Sequence, residues 1–185
     1  PPGCGKTTIA RLIAEHTNLY FEQISAVFSG VADLKRVFQY AQDRRATQGK
    51  GTLLFVDEIH RFNKSQQDGF LPYVEDGTII LVGATTENPS FELNAALLSR
   101  CQVFVLNRLN EPEFEVLLQR AEKETGRKLP VDDEAREFLK TIADGDGRYI
   151  LNLAESIWNY AQPGEVFDKE SIVKIIRSRA PVYDK

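Results

Sequence analysis

The first eight residues, Pro1-Pro2-Gly3-Cys4-Gly5-Lys6-Thr7-Thr8, have the types and spacing that bind phosphate. Gly5, Lys6 and Thr7 fill the last three places of the pattern G-x-x-x-x-G-K-[ST]; its leading glycine would stand one position ahead of Pro1. Gly3 and Gly5 let the backbone bend tightly, so that successive N–H groups from Gly3 through Cys4 to Thr8 turn inward toward oxygens. A helix expected over residues 6–16 adds the positive end of its dipole. Lys6 would supply a point charge to the β- and γ-phosphates, and Thr7 a hydroxyl to Mg²⁺. The bland alternative is a Gly-Pro turn ahead of a helix that contains a lysine.

A second pair of groups follows. Asp57-Glu58 ends a hydrophobic run, and ligands meet open α/β sheets at strand ends. Downstream of a phosphate loop, Asp57 is placed to hold a Mg²⁺ shell, and Glu58 to orient and activate a water. Asp57-Glu58-Ile59-His60 also fits the DExH box of helicases. Those enzymes need a second sheet domain, whereas helical patterns fill the rest of this chain. The polar pair Thr85-Thr86 ends the next strand; it suits a water or a γ-phosphate, and equally a turn rich in Thr and Asn. Arg100 precedes an apolar run and Arg148 opens a helix after Gly-Asp-Gly. An arginine can stabilise charge on a transferring phosphoryl group, but each of these, taken alone, is a surface arginine.

Elements must carry these groups. A strand is expected at 19–24, then a helix capped by Asp33, with Leu34, Val37, Phe38 and Ala41 on one face. Lys35, Arg36, Arg44 and Arg45 read as its solvated face. Further strands are expected at 52–56, 78–82 and 101–105, with helices at 64–74 and 93–98. Continuous apolar strands alternating with helices indicate a parallel sheet covered on both faces. From about Asn107 the pattern is helical only. Asn110 with Glu113 forms a capping box for a helix that ends at Gly126. Asp132 starts a second helix, residues 148–161 form a third, and Asp168 caps a fourth that stops before Pro181. The expected organisation is an α/β domain over 1–106 and a small all-α domain over 107–185.

Composition sets bounds. Hydrophobic residues make up 42% of 185, enough for a core, and 27% are charged. The mean hydropathy is −0.31. No apolar run approaches a membrane-spanning length. A net charge of −4 argues against a protein basic throughout while leaving room for a local nucleic-acid patch. Cys4 and Cys101 are too few for a disulfide framework or a zinc site, and are expected as free thiols. His16 and His60 lack partners at metal-ligand spacing.

Taken together, Gly5-Lys6-Thr7, Asp57-Glu58, Gly83-Ala84-Thr85-Thr86, Ser99-Arg100-Cys101 and Gly147-Arg148 resemble an AAA+ ATPase, and Ser-Arg-Cys narrows this to the clamp-loader-like branch. The block from Phe55 to Cys101 contains VDEIHRFNKSQQDGFLPYVEDGTIILVGATTENPSFELNAALLSRC. It closely resembles the replication-associated recombination protein A family, whose eukaryotic relative is the Werner helicase-interacting protein. The segment GDGRYILNLAES and the tail RAPVYDK also fit.

The resemblance implies a P-loop AAA+ parallel sheet followed by a helical lid. It implies Walker A at Lys6 and Thr7, Walker B at Asp57 and Glu58, and sensor 1 at Thr86 in preference to Thr85. Arg100 would be an arginine finger acting on ATP held by the neighbouring subunit, and Arg148 sensor 2. It further implies ATP and Mg²⁺, a homo-oligomer (a tetramer in the family), single-stranded or branched DNA, and contact with single-strand-binding protein. The setting would be stalled or damaged replication forks in the cytoplasm of a bacterium, near the nucleoid, away from membranes. The rival readings are a clamp-loader subunit, a branch-migration motor, and a non-hydrolysing AAA+ interaction module; intact Glu58 and Arg100 argue against the last. In the family the strand leading into the phosphate loop lies mid-sheet, between the fourth and fifth strands. It would precede Pro1, so residues 1–185 alone are expected not to be a competent ATPase.

Overall fold

The structure, a computed structural model, describes residues 1–179; RAPVYDK and the expected stop before Pro181 lie at and beyond its end, with residues 180–185 outside the described residues. Two compact units form. One is Gly5–Val105, and the other joins Pro1–Cys4 to the chain from Leu106 onward.

In the first unit, α1 (Lys6–His16), β1 (Tyr20–Ser25), α2 (Val31–Gln48), β2 (Thr52–Asp57) and β3 (Ile79–Gly83) build a parallel sheet in the order β1-β2-β3. β2 is central and carries the core. Its side chains alternate between faces. Leu53 and Phe55 pack with Ala10 and Ala14 of α1. Leu54 and Val56 pack with Leu34, Val37, Phe38 and Ala41 of α2 on the other face. All four strand residues are fully buried, which explains why this run is continuously apolar.

The α1 helix returns along the strands. Its 11 residues span about 16 Å, close to the roughly 20 Å of a six-residue strand. At its far end the Leu19 N–H donates to the Ala14 carbonyl (2.9 Å) and the Tyr20 N–H to the Gly51 carbonyl (2.9 Å), which places the helix exit where the strands begin. The N-terminus of α1 therefore lies at the edge where the strands end.

Several elements differ from the sequence reading. The α2 helix begins at Val31 after Gly30, and Asp33 sits in its first turn, where its carboxylate accepts from the Gly30 N–H (2.9 Å). Arg44 does not project into solvent: it lies over the Tyr20 ring, 3.4 Å from the centroid, and donates to the Thr52 hydroxyl (2.7 Å). The helix expected over 64–74 is two short ones, α3 (Lys64–Asp68) and α4 (Leu71–Glu75). Gly69 and Phe70 separate them, and Pro72, in the first turn of α4, has no N–H with which to continue the helix from α3. Only α5 (Pro89–Glu92) and α6 (Ala95–Leu98) form around the expected 93–98 helix.

The strand expected at 101–105 does not form. Among the described residues this stretch has no ladder partner, and Phe104 and Val105 are 76% and 81% exposed. An extended run becomes a strand only when neighbouring backbone groups complete its ladder. In the order the resemblance implies, its neighbour is the strand that leads into the phosphate loop. The observed β1-β2-β3 row corresponds to the second, third and fourth strands of that order.

The second unit contains α7 (Glu111–Thr125), α8 (Asp133–Ala143), α9 (Gly147–Tyr160) and α10 (Lys169–Arg179). Side chains of Asn110, Asp132, Asp146 and Asp168 cap them in turn. Phe114, Leu118, Leu139, Ile150, Leu153 and Ile157 fill the core. Largely buried between α7 and α8, Arg136 bridges Glu115 and Glu122 (2.9 Å each), and Lys140 reaches Glu115 (2.8 Å). Among the described residues no helix is long and apolar enough to cross a membrane.

Candidate active site

The phosphate loop enters α1 through Gly5, which caps it in the left-handed region (φ 89°) with no side chain capping the helix. The later helices α7 to α10 each have an Asn or Asp acceptor over their first turn. At α1 no side chain caps the helix, and an anion would suit that role. Lys6, Thr7 and Thr8 are the first residues of this helix. Gly3 also has a positive φ of 64°, and its carbonyl accepts from the Gly147 N–H (3.2 Å) within the second unit. A Cβ on Gly3 would fall 1.8 Å from a carboxylate oxygen of Asp146, so only glycine fits there. The Cys4 thiol donates to the Pro1 carbonyl (3.1 Å).

The same sheet edge carries the acidic pair. Asp57 closes β2, in register with Ser25 of β1. Glu58 follows in the left-handed region (φ 52°) and caps a short 3-10 helix, Ile59–Arg61. The turn is held from both sides: Ala26 N–H donates to the Asp57 carbonyl (2.9 Å), Ala84 N–H to the Val56 carbonyl (2.8 Å) and Ile59 N–H to the Ala84 carbonyl (3.0 Å). Gly83 is needed here, since a Cβ would meet the Ile59 side chain at 2.9 Å.

These constraints bring the tips of β2 and β3 together. The Thr86 hydroxyl donates to Glu58 Oε2 (3.3 Å). His60, with a side chain only 8% exposed, faces the same Oε2 with Nε2 at 3.5 Å, and its Nδ1 meets the Thr85 hydroxyl at 2.8 Å. The sequence places Thr85 in the polar pair beside the preferred Thr86 and His60 in a DExH-like run, and does not join the two. The available signal was the histidine two places after Glu58, which the DExH pattern marks and metal-ligand spacing does not.

Arg100, just beyond α6, pairs with Glu75 (2.6 Å) and donates to the Ala96 carbonyl (2.8 Å). Its side chain is 40% exposed. Arg148 sits in the first turn of α9, where its N–H donates to Asp146 Oδ1 (2.9 Å). Cys4 and Cys101 are free thiols; burial pushes the Cys101 thiol up from its ordinary value. Among the described residues no group of three or more His, Cys, Asp or Glu is arranged to hold a metal ion. A Mg²⁺ bound through a phosphate needs fewer protein ligands, and a hydroxyl and a carboxylate such as Thr7 and Asp57 are suitable donors.

Residues 1–109 match the ATPase family associated with various cellular activities (AAA), and residues 125–185 match the AAA C-terminal domain. The chain is 45% identical to the replication-associated recombination protein A of Escherichia coli K12, over all of this chain and 43% of that protein. It is 50% identical to the ATPase WRNIP1 of Dictyostelium discoideum, over 84% of this chain and 18% of that protein. The chain thus spans less than half the length of these relatives. The Thermotoga maritima RuvB Holliday junction branch migration motor superposes with a TM-score of 0.75 at 25% identity, over 96% of this chain and 59% of that one. The chain is similar to the replication-associated recombination protein A and WRNIP1 proteins, and it belongs to the AAA family of ATPases.

Proposed function

We propose that the protein hydrolyses ATP with Mg²⁺ and couples this to DNA transactions at stalled or damaged replication forks. The observation that carries the ATPase reading is the Glu58–Thr86 contact at the sheet edge where the uncapped N-terminus of α1 also lies. Gly3 to Thr8 would cradle the phosphates, with Lys6 as the point charge. Thr7 and Asp57 would hold the Mg²⁺ that neutralises phosphate charge. Glu58 orients a water and takes its proton, and Thr86 fixes the carboxylate as the first sensor. Arg148 is assigned to the second sensor and Arg100 to a finger used by a neighbouring subunit. The DNA partner is inferred from the relatives' involvement in replication and recombination. A tetramer, single-strand-binding protein as partner and a nucleoid-associated cytoplasmic setting extend the same inference.

In the full-length protein, Glu58→Gln is expected to lower turnover roughly 100- to 10,000-fold while labelled ATP still binds. Unchanged hydrolysis would overturn the role given to Glu58. A branch-migration motor is the second reading, favoured by the likeness to RuvB. Activity on a four-way junction exceeding that on a fork would select it.

A further inference from the structure

We propose that His60 is a positioning residue for the ATPase site: it ties the carboxylate of Glu58 to Thr85, and so fixes which carboxylate oxygen faces the attacking water. The inference rests on the reading of Glu58 as the water-activating group.

The geometry is directional. Glu58 as a carboxylate only accepts, so the ring nitrogen facing it must carry the proton. That nitrogen is Nε2, 3.5 Å from Oε2. In a neutral imidazole Nδ1 is then an acceptor, and it receives the Thr85 hydroxyl at 2.8 Å. The Thr85 oxygen is itself fixed by the Glu87 N–H, which donates to it at 3.0 Å. The chain runs from the Glu87 amide through Thr85 and His60 to Glu58, each donor matched to one acceptor. The last step, 3.5 Å, is a close approach of the ring nitrogen to the carboxylate and not a formed hydrogen bond; catalytic contacts often tighten only when substrate binds.

Two braces converge on one atom. Thr86 reaches Oε2 directly and Thr85 reaches it through His60. Thr85 meets the His60 ring and Thr86 the Glu58 carboxylate, which leaves a gap between Thr85 and Glu58. His60 spans that gap. With Oε2 engaged twice, Oε1 is the oxygen left to take a water proton. The ring is almost fully buried, so packing fixes its plane. Glu58 itself leaves the strand in the left-handed region, and a carboxylate on such a turn has no regular backbone to set its direction.

Kinetics of the full-length protein test this. His60→Ala is expected to lower kcat roughly 10- to 100-fold, the scale of a misplaced catalytic group, with ATP affinity unchanged. His60→Gln, whose amide can occupy the place of Nε2, should recover most of the loss. His60→Asn, which reaches only as far as Nδ1, should not. Thr85→Val should lower kcat in the parent and have little further effect in the His60→Ala background. A His60→Ala protein with parental kcat overturns the proposal, as does a Thr85→Val loss that simply adds to that of His60→Ala. Should His60→Ala fail to fold by circular dichroism, the Gln, Asn and Thr85→Val proteins decide: equal activity in all three also overturns it. Persisting turnover in Glu58→Gln would instead remove the underlying reading, whatever His60 does.

Discussion

Glu58 is one of three non-glycine residues with positive φ among the described residues; the others, Asn18 and Asp144, are types that tolerate it. A long side chain held there costs about 1–2 kcal/mol, and the turn's backbone hydrogen bonds offset that cost. Arg100 presents the opposite situation. Its pair with Glu75 is exposed on both sides, and such pairs contribute about 1 kcal/mol or less. A neighbouring subunit's phosphate could therefore draw Arg100 away from Glu75 cheaply. If it acts in trans, mixing inactive Arg100→Ala subunits with inactive Glu58→Gln subunits should restore part of the turnover. Failure of every mixing ratio to restore activity would place Arg100 outside the neighbour's site. The candidate residues were legible in the sequence because phosphate loops and strand-end acids are local patterns. The His60–Thr85 contact was not, since it joins positions on separate strand tips.

At the scale of elements, Gly83 and Ile59 set the spacing between the β2 and β3 tips. Gly83→Ala would press its methyl on Ile59 Cδ1 at 2.9 Å and Cγ2 at 3.1 Å. The expected loss is about 1–3 kcal/mol, read as a lower urea midpoint. Ile59→Val removes Cδ1 and should recover part of it; no recovery in the double variant would mean the strain lies elsewhere. The strands that formed are those whose neighbours are at hand, and their apolar runs were readable for that reason. The 101–105 run has an equally strand-like composition, yet strand formation depends on a partner that local composition does not report. Likewise, 64–74 carries a helical pattern that is interrupted at Gly69-Phe70, where Pro72 just beyond lacks the N–H to bridge the two turns.

For the molecule as a whole, the α7–α8 charge network makes stability depend on pH. Hydrogen bonds from Arg136, then Lys140, hold the Glu115 carboxyl down at about 2. Glu122 is lowered too; burial opposes the shift, and hydrogen bonds from Arg136 and the Leu129 N–H outweigh it. A folded value below the unfolded one gives stability that is fully present above the ordinary carboxylate value and lost as pH falls toward 2. Urea midpoints should therefore fall between about pH 4.5 and 2, and Glu115→Gln should flatten that decline. An unchanged slope would show that the network is screened.

The outer side of β3 has a different consequence. Its sequence, Ile79-Ile80-Leu81-Val82-Gly83, contains none of the charges or prolines that usually blunt a sheet margin, and Ile80 is half exposed. Left uncovered in concentrated solution, that margin would recruit extended peptide from any source. The colloidal behaviour of the 185 residues would then report how well this side of the sheet is sealed.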